Sequence, residues 1–354
     1  MKRSRTQTAA GSSSVDLLAL AEYVEQFSGK TVIVLGDFVA DEFQFGEISR
    51  VSREAPVLIL RHRETHLVPG GGANAANNLA ALGARVLPIT AVGDDAAGDA
   101  LINHFRERRT DVSGVVRVKG YTTPTKTRFL AGWAHTAGQQ VLRVDREPLA
   151  RLPPASHKKI EKLLRGKLRA ADALAVSDYG FGVATPELVR FASSKRKKLV
   201  VTLDARYGLA SYARSGVTSA TPNEAELEAL HHTSIGRDVE ELARCGGATL
   251  LAMKLKSLLV TRGRDGMALF ESPARLTHIP IHGTNQAVDV TGAGDTVLAA
   301  YTLALASGAS PLEAAHIANI AGGLVVMKRG TATVTRSELF DAIRGEASGS
   351  GASG

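Results

Sequence analysis

The segment Asp289-Val290-Thr291-Gly292-Ala293-Gly294-Asp295-Thr296 sets two glycines and an acid between an extended segment (residues 284–288) and an Ala-rich helical pattern (residues 297–306). Glycines at such a turn let backbone N–H groups converge without side chains in the way. The first turn of the new helix adds unpaired N–H groups and the positive end of its dipole. That combination binds anions, phosphate above all. Asp295, standing among such groups, is placed to take a proton from a hydroxyl while a phosphate arrives from the other side. The purely structural alternative is a tight glycine turn with Asp295 as a helix cap.

Four further constellations carry chemistry. Gly70-Gly71-Gly72-Ala73-Asn74 opens the first strongly helical segment, with Asn74 and Asn78 one turn apart on the same face. Glycines there admit a bulky polar ligand to the backbone, and amides suit sugar hydroxyls, which need donors and acceptors. The formal match of Gly70-x-Gly72-x-x-Ala75 to a dinucleotide fingerprint is weak, because it lies outside the first strand-to-helix turn and lacks an acid at a suitable strand end. Asp37 and Asp41 follow the first strand with no histidine nearby, which favours recognition of vicinal hydroxyls over metal. A cap plus a solvated acid is the plain alternative.

Thr221-Pro222-Asn223-Glu224-Ala225-Glu226 starts a helix, and Asn223 and Glu226, three apart, can both face a phosphate or a hydrated Mg²⁺. A Pro-initiated helix with an acidic first turn explains the same residues structurally. Thr261-Arg262-Gly263-Arg264-Asp265-Gly266 follows another strand and offers groups for phosphate oxygens and ribose, although alone it is a turn. No Walker A sequence is present, so a nucleotide must be held differently; Gly29-Lys30-Thr31 precedes a strand instead of following one. His62-Arg63-Glu64-Thr65-His66 does not match the zincin motif and lies in a strand-like region, His231-His232 reads as a surface helix end, and Cys245 has neither a second cysteine nor an adjacent base.

The elements that must position these groups alternate. Apolar β-branched runs at residues 31–35, 86–90, 173–177, 199–203 and 257–261 are separated by helical patterns, the first at 73–82. Strands apolar on both faces require a parallel sheet covered on both sides, with ligands beyond the carboxyl ends of the strands. Asp37, Asp178, Asp204 and Thr261 fall at or just past such ends. Residues 43–67 and 115–144 break the rhythm with β patterns lacking helices, and read as antiparallel strands outside the main sheet, forming a lid, a subunit contact or a plain meander. One domain spanning 15–346 is expected, between a polar tail (1–14) and a Gly/Ser tract (347–354) that should not pack.

The 354 residues, 44% of them hydrophobic, support a substantial core. No apolar run is as long as a membrane span, no secretory signal precedes the first strand, and the single cysteine fits a reducing cytoplasm. The net charge of +8 is concentrated in runs such as Lys195-Arg196-Lys197-Lys198, without interleaved aromatics. That argues against a nucleic-acid partner and is equally explained by an anionic small substrate.

Taken in order, Gly70-Gly71-Gly72-Ala73-Asn74, Asn223-x-x-Glu226, Thr261-Arg262-Gly263 and Asp289-x-x-Gly292-Ala293-Gly294-Asp295 resemble the PfkB family of ribokinase-like sugar kinases, over roughly residues 29–344. The resemblance implies an α/β fold with a central, mostly parallel sheet flanked by helices on both faces, and a small β-sheet lid over the sugar. It also implies ATP along the later strands, Mg²⁺ at Asn223 and Glu226 partly through water, a potassium ion near Asp289, and a homodimer paired through the lids. Within the family, Ser49-Arg50-Val51-Ser52-Arg53-Glu54-Ala55-Pro56-Val57, Gly138-Gln139-Gln140-Val141-Leu142-Arg143-Val144-Asp145, Val176-Ser177-Asp178-Tyr179-Gly180 and Lys328-Arg329-Gly330-Thr331-Ala332-Thr333-Val334 are similar to kinases that phosphorylate D-glycero-β-D-manno-heptose 7-phosphate at C1. Related bacterial proteins often carry an added nucleotidyltransferase domain; this chain ends before one fits, so the kinase alone is expected. Two departures stand out. Phe181 replaces a usual lysine, and Asp204-Ala205-Arg206 replaces Asp-Pro-Lys, where arginine can still meet a phosphate bidentately.

The expected roles follow. Asp295 is the general base, with the N–H groups of Ala293, Gly294 and Asp295 and the Gly292 turn facing the transferring phosphoryl. Thr261, Arg262, Gly263, Gly266 and Asn319 join Asn223 and Glu226 at the nucleotide. Asp37, Asp41, Gly71, Gly72, Asn74, Asn78 and Asp178 contact the sugar, and Lys126, Arg128 and Arg143 the sugar phosphate. The rivals are a kinase for another sugar (fructose, ribose, 2-keto-3-deoxygluconate or a nucleoside) and a non-catalytic sugar-binding protein.

Overall fold

Apolar residues on both faces of the predicted strands fix a layered architecture, described in the computed structural model for residues 15–132, 139–283 and 287–350. The chain runs α1 (Leu17–Glu25), β1 (Thr31–Gly36), β2 (Phe38–Val51), β3 (Leu58–Gly71), α2 (Gly72–Ala81), β4 (Arg85–Gly93), α3 (Ala96–Glu107) and β5 (Val115–Val118). Next come β6 (Thr125–Gly132), β7 (Gln139–Arg146), α4 (Pro154–Lys167), β8 (Ala173–Asp178), α5 (Pro186–Lys195), β9 (Val200–Ala205) and β10 (Ser219–Ala220). It continues with α6 (Glu224–His231), α7 (Val239–Met253), β11 (Ser257–Thr261), β12 (Met267–Ser272) and β13 (Arg275–Ile279). The last helices are α8 (Ala293–Ala306), α9 (Pro311–Val325) and α10 (Arg336–Ser350).

The main sheet has nine strands in the order β13-β12-β11-β10-β9-β8-β1-β4-β5. All pairings from β11 to β5 are parallel, and the last two strands add on antiparallel. Alternation along each strand splits the core in two. From β1, Val32 and Val34 pack with α1, α2, α8 and α9, while Ile33 and Leu35 pack with α4, α5 and α7. A second sheet, in the order β3-β2-β6-β7, stands apart.

Several expectations change. Residues 115–118 belong to the main sheet, because β5 pairs in parallel with β4; the appendage is made only of β2, β3, β6 and β7. It is also not wholly antiparallel, since β2 and β6 run parallel. The sheet is mostly parallel, as expected; the antiparallel β12 and β13 follow the fifth apolar run with no α-helix between them. Ala287 and Val288 form no strand; the Val288 and Asp289 N–H groups instead donate to the Val326 carbonyl at 2.8 and 3.0 Å. Helix α10 continues to Ser350, past the expected boundary at 346, with the Ser348 hydroxyl donating to the Arg344 carbonyl. The tail at 1–14, residues 284–286, Gly138 and residues 351–354 lie outside the described residues. No helix among the described residues is long and apolar enough to cross a membrane.

Candidate active site

Helix α8 begins at Gly292, which caps it in the left-handed region at φ +78°. A side chain there is excluded twice: by that backbone geometry, and because a Cβ would come within 2.5 Å of the Asn74 amide nitrogen. The Thr296 N–H already reaches the Gly292 carbonyl at 3.2 Å, and the Ala293 N–H turns back to Val290 at 3.3 Å. The N–H groups of Gly294 and Asp295 are therefore the ones left without an intrahelical acceptor. They open on a cavity of about 880 Å³, lined by Gly292, Gly294 and Asp295 on one side. Asp41, Gly71, Lys126, Arg128, Arg143 and Tyr179 line another part, and Asp204, Arg206, Thr221, Asn223, Glu226 and Thr261 a third.

Asp295 is 4% exposed. Burial pushes its carboxyl up to about 7, against a hydrogen bond from Asn74 Nδ2 to Oδ2 at 2.8 Å. Among the described residues, its other oxygen has only the Tyr179 hydroxyl, 3.4 Å away. A carboxylate with one oxygen held and one turned to the cavity, titrating near neutrality, has the properties of a general base.

The smaller sheet supplies the cations through its register. On β6, Lys126 and Arg128 are two apart and share a face; Asp41 on β2 lies opposite Lys126, and Arg143 on β7 opposite Arg128. Arg128 is neutralised by Asp41 at 2.6 Å, and Arg143 grips Asp145 through two bonds of 2.7 and 2.5 Å. Lys126 makes no ion pair among the described residues; its ammonium stands 4.9 Å from the centre of the Tyr179 ring. Burial, and then Arg206, lower its pKa. Arg206, past the end of β9, is exposed and lies 6.0 and 5.7 Å from the rings of Tyr179 and Tyr207. Two cations without an ion pair among the described residues, sharing one aromatic ring, favour an incoming anion.

On the third part of the lining, Asn223 and Glu226 form a reciprocal capping box for α6: Asn223 N–H to Glu226 at 2.9 Å, and Glu226 N–H to Asn223 at 2.8 Å. Both residues also line the cavity. Burial raises the Glu226 carboxyl, and burial with Glu226 raises Asp204 strongly. The Thr221 Oγ1 is buried on this wall without a hydrogen-bond partner. Two carboxylates reluctant to ionise beside an orphaned hydroxyl suit a hard divalent cation and phosphate oxygens.

Other expected site residues lie elsewhere. Asp37 accepts N–H bonds from Tyr179, Phe181 and Val183 at 2.9–3.0 Å, so it shapes the loop after β8 and does not face a sugar. Burial, then Asp178, push it up to about 7. Asp178 is committed to the Tyr212 hydroxyl at 2.7 Å and the Gly180 N–H at 2.8 Å. Gly72 donates to the Asp37 carbonyl, leaving Gly71, at φ +55°, as the glycine of that cluster on the cavity. Asn74 and Asn78 are fully buried behind Asp295. Arg262 pairs with Glu224 and donates to the Gly236 carbonyl, and Asn319 donates to the Pro280 carbonyl at 2.8 Å. Neither they nor Gly263 and Gly266 line the cavity, whereas Thr261 does. The Asp289 oxygens accept from Thr291 and Gly330 N–H, both at 2.9 Å; these bonds outweigh burial and hold the carboxyl below its ordinary value. Tyr179, given no role from the sequence, lines the cavity just past β8; Asp204, near the end of β9, and Arg206, just beyond it, line it as their strand-end positions imply.

With this geometry in hand, comparison with known proteins is informative. The model of the pfkB family carbohydrate kinases matches residues 30–338. Curated relatives include the bifunctional protein HldE of Geobacter sulfurreducens, 37% identical over 314 residues covering 88% of this chain and 62% of that protein. HldE of a Caulobacter species is 40% identical over 336 residues, covering 92% and 65%. The chain thus spans less than two thirds of the length of either relative. Among solved structures, Arabidopsis thaliana ribokinase complexed with ribose and ATP superposes with a TM-score of 0.67 at 20% identity, covering 89% of this chain and 99% of that one. Escherichia coli phosphofructokinase-2 in complex with substrates and products gives 0.71 at 20%, covering 90% and 99%. These neighbours share the fold, and the family match assigns the chemistry: the chain belongs to the pfkB family of carbohydrate kinases, phosphotransferases with an alcohol group as acceptor.

Proposed function

We propose that this kinase transfers the γ-phosphoryl of ATP to the C1 hydroxyl of D-glycero-β-D-manno-heptose 7-phosphate, giving the 1,7-bisphosphate used to make ADP-heptose for the lipopolysaccharide core. The observation that carries the phosphotransfer reading is the Asp295 carboxylate beside the free N–H groups of α8 on a cavity that Lys126 and Arg206 also line. The choice of sugar rests on the motifs shared with heptose kinases and on the HldE relatives.

In this reading the sugar lies between Gly71, Asp41 and Asp295, with its phosphate toward Lys126, Arg143 and Arg206, and Arg128 holding Asp41 in place. The free Asp295 oxygen accepts the C1 hydroxyl proton as the sugar oxygen bonds to Pγ and the bond from Pγ to the β,γ-bridging oxygen breaks, releasing ADP. The Gly294 and Asp295 N–H groups stabilise charge on the equatorial oxygens of the transferring group. Thr221, Thr261 and Asn223 face the nucleotide phosphates. Asn223 and Glu226, partly through water and with Asp204 alongside, would hold Mg²⁺, which when bound would neutralise charge on the phosphates. Asp289, held ionised, is our site for potassium. The smaller sheet exposes Val51, Val57, Leu58, Val141, Leu142 and Val144, and we assign it to a homodimer contact.

The test is ADP release with ATP and Mg²⁺ over a panel of acceptors: heptose 7-phosphate, fructose, ribose, 2-keto-3-deoxygluconate and a nucleoside. The highest kcat/KM is expected for heptose 7-phosphate. Preference for another member replaces the sugar, and no turnover with any defeats the kinase reading.

A further inference from the structure

The net charge of +8 has a place in the fold. On sequence alone an anionic small substrate explains it equally well, yet the densest cations lie at the end of the sheet remote from the cavity. β8, β9, β10 and β11 are neighbours in the main sheet and run parallel. The connections that lead into them carry Arg169, the run Lys195-Arg196-Lys197-Lys198, Arg214, and Lys254 with Lys256. Within six residues of each strand start there is one acid, Asp172, and it is already engaged, accepting from the Thr31 N–H at 2.8 Å. All of these cations but the half-buried Arg196 are exposed, and none makes an ion pair among the described residues.

A cation in the last turn of a helix answers the helix dipole, but that effect fades beyond the turn. It accounts for Lys195, the last residue of α5, and not for Lys197 and Lys198. At Arg214 and Lys254 the backbone is left-handed, φ +58° in both, where glycine would sit without cost and the chain sets a cation instead. Hydrogen bonds join the connections into one face. Arg196 Nη1 donates to the Leu168 and Arg169 carbonyls at 2.9 and 3.1 Å, and the Thr218 N–H to Val201 at 2.7 Å. The Lys256 N–H donates to Thr218 at 2.9 Å and the Arg214 N–H to Met253 at 3.3 Å. In register the four strands start within two residues of one another, so the charges lie at one level across about 14 Å of sheet edge.

We propose that this edge is a docking face for an anionic lipid bilayer. A level row of exposed cations matches a planar layer of lipid phosphates, which attracts each cation and needs no pocket. Nucleic acid is served less well. Phe191, beside Lys195, is packed against the core and covered by Arg165 at 4.6 Å and Lys195 at 5.9 Å, so it offers no free face to a base. The opposite ends of the same strands hold the site, since Asp204 near the end of β9 and Thr261 at the end of β11 line the cavity. Contact through the basic edge therefore leaves the cavity facing solvent. Such docking is reversible and salt-sensitive, because an exposed charge acts over about one Debye length, ~8 Å at physiological ionic strength.

The experiment is co-sedimentation of the protein with vesicles of mixed phosphatidylglycerol and phosphatidylcholine, and with pure phosphatidylcholine, at low and raised salt. Wild type is expected to bind the anionic vesicles, to ignore the neutral ones and to be released by salt. Lys197→Ala/Lys198→Ala should weaken the partition roughly 10- to 30-fold, about fivefold per cation, with melting unchanged. Lys119, just past β5, and Arg237, next to the Gly236 carbonyl that Arg262 holds, lie at the carboxyl edge. The same loss of charge there, in Lys119→Ala/Arg237→Ala, should weaken it by less than about threefold. No binding to anionic vesicles overturns the proposal, as do equal losses in the two variants. Tighter binding to a DNA duplex than to the vesicles at equal salt makes the edge a nucleic-acid surface and also overturns it.

Discussion

Replacing Asp295 with asparagine should separate catalysis from stability in opposite directions. The side chains are nearly isosteric, and the new amide oxygen can still accept from Asn74 Nδ2 while its NH₂ faces the Tyr179 oxygen. Loss of the base is expected to cost about 10²–10⁴ in kcat, with little change in KM. Stability moves the other way. The Asp295 carboxyl is raised from 3.8 to about 7. In the folded state the protonated form is thus favoured, and its contribution is fully present below a pH of about 4. It is lost as pH climbs to about 7, where the buried group ionises. At ~1.4 kcal/mol per pH unit, ionisation costs the fold at most on the order of 4 kcal/mol above neutrality. Asparagine carries no such cost. Melting curves of both proteins should coincide near a pH of about 4 and diverge toward neutrality, with the variant melting higher by several degrees at a pH of about 8. ADP release under the same conditions gives the catalytic half. A variant that retains kcat refutes the base assignment; a melting difference that ignores pH refutes the shifted carboxyl.

Lys126→Ala, which removes an unpaired cation, should raise KM for the phosphorylated acceptor by roughly 10- to 100-fold and for its unphosphorylated analogue hardly at all; equal effects, read from paired acceptor titrations, remove it from the phosphate subsite. Glu226→Gln keeps the capping bond to the Asn223 N–H, so melting should not fall, while the Mg²⁺ concentration giving half activity rises about tenfold or more. An unaltered Mg²⁺ dependence would limit Glu226 to its cap. Gly292→Ala forces a Cβ against the Asn74 amide in the left-handed region, and kcat should fall on the order of 10²–10³. A variant that folds with normal turnover would show that the α8 turn is not built around the phosphoryl.

The parallel sheet, the glycine turn into α8 and the acid beside it were legible in the sequence, because each is a local signal. Apolar runs of strand length separated by helical periodicity admit few arrangements, and Gly292 marks a backbone conformation other residues resist. The single-stretch motifs around Asp295, Asn223 and Gly71 all reach one cavity for that reason. What each polar side chain does within it depended on partners 87 to 221 residues away along the chain. Asp37 and Asp41 look equivalent along the chain, yet one is consumed by three N–H groups of the loop after β8 and the other holds Arg128 on the cavity wall. Asn74 reads along the chain as a ligand amide, and the packing of α2 on α8 also ties its Nδ2 to Asp295. Composition and spacing specify which groups are available. Only the register of β6 and the packing of α2 on α8 decide which lone pairs and charges remain free, since a hydrogen bond made inside the fold is one no longer offered to a ligand.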